Sequence, residues 1–110
     1  MTTELAPVLT ALADPTRQRV VQLLRERPHR AGELAAAAGT SAPAMSRHLR
    51  VLLQAGIVVD ERPSEDARAR VFWLRPDSIA PLRAWLDDLQ AAGDEQLASF
   101  QTYVEGRGQQ

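Results

Sequence analysis

The sequence predicts a mostly α-helical fold with a two-stranded β hairpin, arranged as one domain over residues 1–110. Three observations carry that expectation. Between residues 31 and 56, two apolar patterns at helical spacing are separated only by Ala38, Gly39, Thr40 and Ser41. Directly after them, residues 57–59 and 68–74 are rich in β-branched and aromatic side chains and flank a turn-forming stretch at 63–67. From Pro76 onward, Ile79, Leu82, Trp85, Leu86 and Leu89, then Leu97, Phe100 and Val104, recur at the period of an amphipathic helix.

The first helix spans about residues 3–13, with Leu5, Val8, Leu9 and Leu12 on one side. Asp14 has the form of an N-cap and Pro15 that of a first helical residue, so a second helix starts there. It continues through Val20, Leu23 and Leu24 to about Arg27, where Pro28 stops it. A third helix begins near Arg30 and turns Ala31, Leu34, Ala35 and Ala38 inward. Gly39 supplies the left-handed residue that the tight turn requires. Thr40 or Ser41 caps the fourth helix, whose core face is Met45, Leu49, Leu52 and Gly56, and Pro43 is accommodated in its first turn.

Residues 57–75 form the hairpin. Either Phe72 and Leu74 or Val71 and Trp73 face inward, because a one-residue slip exchanges the sets; the first pair is favoured. The terminal helix covers 76–104, with Gly93 as a point of bending or division, and residues 106–110 lack an apolar anchor and should fray.

Composition closes several functional classes. The chain has no cysteine, hence no disulfide, thiolate metal site or sulfur redox switch. No apolar run approaches the roughly 20 residues of a membrane span, and no basic residue precedes Arg17, unlike the start of a secretory signal. A cytoplasmic protein without a membrane partner is expected. No paired carboxylates, nucleophile with its base, or phosphate-cradling glycine loop suggests an enzyme. The net charge of −1 conceals an asymmetry: residues 14–75 hold eleven arginines against seven acidic groups, a net +4, whereas residues 76–110 hold two against six, a net −4. A polyanion such as double-stranded DNA would be drawn to the middle of the chain.

The fourth helix carries the groups that such a partner needs. Opposite its core stripe lie Pro43, Ser46, Arg47, Arg50 and Gln54. Arg47 can present a bidentate guanidinium to guanine, worth about 1 to 3 kcal/mol of base discrimination. Ser41 and Ser46 can bond phosphates or base edges through their hydroxyls, although capping accounts equally well for Ser41. Arg50 and Gln54 suit phosphates, and Pro43 and Ala44 either touch thymine methyl groups or serve only to start the helix. His48 sits at the edge between core and groove, as a structural or phosphate-bonding donor rather than a metal ligand. Arg68 and Arg70 on the hairpin would meet phosphates or the minor groove, or form only a charged hairpin tip. Arg17 either clamps a backbone phosphate with Gln18 or pairs with Asp14.

The segments ALADPTRQRVVQLL, GELAAAAGTSAPAMSRHLRVLLQAGIV and RARVFWL together resemble the ArsR/SmtB family of winged helix-turn-helix repressors, over about residues 5–90. The resemblance implies a homodimer that binds a near-palindromic operator and leaves it when an inducer binds. It assigns the helix-turn-helix to 31–56, the wing to 57–75 and dimerisation to residues 1–13 and 76–104. The dimer residues would be Leu5, Val8, Leu9, Leu12, Leu82, Trp85, Leu86, Leu89, Leu97 and Phe100. Lining an inducer pocket stays open as a second role for Trp85. The family's metal sites do not carry over: His29, Arg30, Ala31 and Gly32 stand where its thiolate sensors have cysteines, and the terminal carboxylates Asp87, Asp88, Asp94 and Glu95 have no histidine among them. No metal or other cofactor is expected, and the inducer would be a small molecule of unassigned identity. The alternative is a winged-helix protein-docking module without DNA binding, which the arginine-bearing face of the fourth helix argues against.

Overall fold

The computed structural model describes residues 5–61 and 70–108, and each element begins and ends where side-chain chemistry dictates. Helix α1, Leu5–Leu12, is followed by α2, Pro15–Glu26. Asp14 caps α2: its Oδ1 accepts from the Arg17 backbone N–H at 3.1 Å, and Pro15 occupies a first-turn position where no N–H is needed. Helix α3, Ala31–Ala38, is opened by Glu33, whose Oε1 accepts from the Arg30 N–H at 3.0 Å while Arg27 donates to its other oxygen at 3.2 Å. Helix α4 runs Ala42–Gln54, and the Ser41 Oγ accepts from the Ala44 N–H at 3.3 Å.

Two glycines end the helix-turn-helix pair in the same way. Gly39 and Gly56 have φ of 67° and 76°, the left-handed region. Beyond each, the next residue reaches back into the last turn, Thr40 N–H to Ala35 O at 3.0 Å and Ile57 N–H to Leu52 O at 3.1 Å. These bonds satisfy carbonyls that the helices leave without partners. The turn between α3 and α4 is therefore fixed by backbone geometry.

The sheet has one strand more than expected. Strand β1, His29–Arg30, pairs antiparallel with β3, Val71–Leu74, which pairs on its other edge with β2, Val58–Glu61, giving the order β1-β3-β2. Two residues have no periodicity to read, and their pairing is set by a partner some forty residues away, so β1 is invisible locally. Phe72 lies opposite His29 on one side and Asp60 on the other, and it is buried while Trp73 is exposed. The favoured hairpin register is thus the observed one. His29 is buried too, and its Nδ1–H donates to the Arg27 carbonyl at 2.8 Å, which makes it a satisfied core histidine.

One core unites these pieces. Val8, Val20, Leu34, Met45, Leu52 and Ile57 are wholly buried, with Leu24, Leu49, Val58 and Phe72 nearly so. Helix α5, Ala80–Gly108, contributes little to it beyond the half-buried Leu82, and not one of its 29 residues is buried. Gly93 does not divide α5, and the helix continues to Gly108, past the point where fraying is expected. Because α5 projects from the body, the radius of gyration is 20.0 Å, against about 13 Å for a compact domain of 100 residues. Among the described residues no helix is long and apolar enough to cross a membrane.

Candidate nucleic-acid interface

Helix α4 is anchored on one face and open on the other. Met45, Leu49 and Leu52 lock it into the core, while Ser41, Pro43, Ser46, Arg47, Arg50 and Gln54 are exposed and Ala44 is half-buried. Among the described residues neither Arg47 nor Arg50 enters an ion pair. A rigid helix with a continuous polar, cationic face suits insertion beside base edges and phosphates.

Arg17 is placed differently from the phosphate clamp that the sequence suggests. Its Nε donates to the Ala11 carbonyl at 2.6 Å, its Nη2 to the Thr10 carbonyl at 3.3 Å, and its Nη1 meets His48 Nδ1 at 3.2 Å. Gln18 bonds the Leu12 carbonyl at 2.8 Å. The last carbonyls of α1 have no intrahelical donors, and side chains from α2 supply them. Since arginine only donates, His48 accepts through Nδ1 and carries its proton on Nε2 in this arrangement. Asp14 Oδ1 stands 3.9 Å from the same nitrogen. The Arg17 backbone N–H, with the nearby Arg17 guanidinium, holds the Asp14 carboxyl below its usual range against the opposing effect of desolvation. Asp14, Arg17 and His48 therefore tie the end of α1 to α4.

Arg70 is likewise engaged within the protein. It forms a salt bridge with Asp60 across β2 and β3, and its guanidinium lies 4.9 Å from the Phe72 ring centre. Arg68 lies outside the described residues. Arg70 nonetheless shares the rim of a cleft of about 740 Å³ with Arg30, Ser46 and Arg50, above an apolar floor of Leu49, Leu53 and Phe72. Arg30 was not singled out from the sequence, because only the β1–β3 pairing brings it beside α4. The three guanidinium groups share this cleft with the Glu33 carboxylate, and Arg70 is already paired with Asp60.

The proposed dimer residues fall into three groups. Val8 is wholly buried inside the protomer and offers nothing to a partner, which corrects its assignment: on so short a helix the stripe that meets the core cannot also face outward. Leu5, Leu12 and Leu82 are half-buried. Leu9 on α1 and Trp85, Leu86, Leu89, Leu97 and Phe100 on α5 are exposed, as are Tyr103 and Val104 on α5 and Ile79 just before it.

With this geometry in view, comparison with known proteins is decisive. Residues 12–61, which contain α2 through β2, match a helix-turn-helix domain family. The chain is 46% identical over 77 residues to the HTH-type transcriptional regulator Rv2034 of Mycobacterium tuberculosis, covering 70% of this chain and 69% of that one. The chain belongs to the ArsR/SmtB family of helix-turn-helix transcriptional regulators. Two further similarities place this ArsR-type regulator more closely. It is 36% identical over 58 residues to the transcriptional repressor SdpR of Bacillus subtilis, covering 53% of this chain and 64% of that protein. It also resembles the solved homodimeric winged helix-turn-helix DNA-binding domain Mb0332 from Mycobacterium bovis, a possible ArsR-family regulator, at 26% identity and a TM-score of 0.61, covering 84% of this chain and 80% of that one. This ArsR-type chain is a transcriptional regulator and not an enzyme.

Proposed function

We propose that two copies of this ArsR-type chain form a cytoplasmic repressor that binds a near-palindromic operator and is released by a small-molecule inducer. The observation that carries this reading is α4, a helix fixed to the core by Met45, Leu49 and Leu52 that presents Ser46, Arg47 and Arg50 outward. In a two-fold dimer the two copies of α4 would enter successive major grooves about 34 Å apart. Arg47 would contact bases, Ser41, Ser46, Arg50 and Gln54 phosphates or base edges, and Pro43 or Ala44 thymine methyl groups. Arg30 and Arg70 would flank the same duplex. A repressor and a homodimeric domain among its relatives support the reading, as does an α5 whose apolar residues beyond Leu82 are exposed.

Selection of bound genomic fragments, followed by footprinting on the recovered operator, tests it. Arg47→Ala should relax sequence preference by about 1 to 3 kcal/mol, or roughly 5- to 150-fold. Arg70→Ala, which removes a side chain already held by Asp60, should weaken all sequences alike and by less. Binding without any sequence preference, or no salt-sensitive binding to duplex DNA at all, would overturn the proposal.

A further inference from the structure

The cleft between α3, α4 and the hairpin is a different kind of surface from the open face of α4. Its rim is cationic: Arg30 and Arg50 are exposed and enter no ion pair among the described residues, and Arg70 closes the third side. Its floor is apolar, formed by Leu49, Leu53 and Phe72. The volume is about 740 Å³. Small-molecule sites occupy roughly 300 to 1,000 Å³ and likewise combine apolar walls with a few convergent polar groups.

The nearby carboxylates do not cancel the positive charge. Glu33 lines the cleft, but its oxygens are engaged by the Arg30 N–H at 3.0 Å and by Arg27 at 3.2 Å. Asp60 is held by Arg70. With these partners counted, the guanidinium groups of Arg27, Arg30, Arg50 and Arg70 stand against the carboxylates of Glu33 and Asp60, four against two, a net +2. A duplex matches only part of such a surface. Its phosphates can meet the rim, but a charged sugar-phosphate backbone gains little from an apolar floor.

We propose that the cleft binds a small organic anion, a carboxylate on an apolar body, with the carboxylate paired to Arg30 and Arg50 and the body over Leu49, Leu53 and Phe72. Ser46 and Arg50 line the cleft and also belong to the outward face of α4, so this ligand and a duplex exclude each other. Release then needs no change of shape: an anion at about ten times its dissociation constant weakens DNA binding roughly elevenfold by competition. This release deepens the repressor reading and rests on it, whereas the site is detectable without DNA.

Octanoate is titrated into the full chain by calorimetry, beside octan-1-ol and acetate, and then into the chain bound to a labelled random-sequence duplex at constant sodium. Octanoate should bind at least about tenfold more tightly than either control, since octanol lacks the charge and acetate the body. It should also displace the duplex where acetate does not. Gly32 offers a way to close the cleft, because it lines it, is exposed, and has no atom within 4 Å of a Cβ built there. Gly32→Trp should therefore fold, lose about tenfold or more in octanoate affinity, and keep salt-sensitive DNA binding. Arg30→Gln retains the N–H that Glu33 accepts and should lose octanoate affinity to a similar degree. Failure of octanoate to bind, binding unchanged in both variants, or octanol binding as tightly overturns the proposal. Octanoate held in the cleft without displacing the duplex overturns release by competition. A chain that takes up octanoate as expected but binds no duplex at all supports the site and removes the repressor reading.

Discussion

Helices α4 and α5 are both amphipathic, and they are finished by different partners. In α4 the apolar face is already covered by the protein's own core and the polar face is left open. In α5 the situation is reversed: Leu89 is 54% and Phe100 62% exposed, although both lie on its apolar stripe. A polar face without internal partners is stable in water and available to a polyanion. An apolar face of that length is not, because helix stability comes mostly from packing such a face. Under the proposed function, α4 would read the duplex and α5 would assemble the dimer.

The largest effect that sharpens this contrast is a matched pair of leucine truncations. Leu52→Ala, in the core beneath α4, should cost about 2 to 5 kcal/mol of protomer stability, independent of protein concentration. Leu89→Ala on α5 should leave a diluted protomer nearly unchanged and lower the melting temperature only where the dimer is populated. Denaturation at several protein concentrations distinguishes them. Equal, concentration-independent losses would erase the contrast.

A smaller effect concerns Arg17. As a tie between α1 and α4, it should act on stability, so Arg17→Met should lower the melting temperature while the dependence of DNA affinity on salt keeps its slope. A phosphate contact would instead reduce that slope by about 0.9. The smallest effect is acidic. The carboxyls of Asp14 and Glu33 are held below their ordinary values chiefly by backbone N–H donors, those of Arg17 and Arg30 respectively. Groups depressed in the folded state contribute stability that is present at neutral pH and is lost as pH falls through the folded values, below the ordinary 3.8 and 4.5. Asp14→Asn should therefore flatten part of the loss of stability on acidification below about pH 4, as followed by urea unfolding across pH. A slope identical to that of the unsubstituted protein would remove Asp14 from the acid response.

Most of the helix-turn-helix was legible because its signals are local. Asp14, Ser41, Gly39 and Gly56 announce helix boundaries through their own chemistry, and the exposed face of α4 follows from period alone. What escaped depends on distant partners. Strand β1 exists only through β3, and Arg30 reaches the cleft beside α4 only because of that pairing. The capping role of Arg17 could not be seen either, since its acceptors are carbonyls of a helix that folds back from another direction. Gly93 marks a point of bending or division by its helix-weakening chemistry alone, yet α5 runs through it as one helix.

The most direct test of α4 as the reading element is a footprint of the unsubstituted protein and of Arg47→Ala on a selected operator. Two protected half-sites about one DNA turn apart, with discrimination between operator and mutated operator lost in Arg47→Ala while salt-sensitive binding survives, is the predicted result. Unchanged discrimination in Arg47→Ala would contradict it.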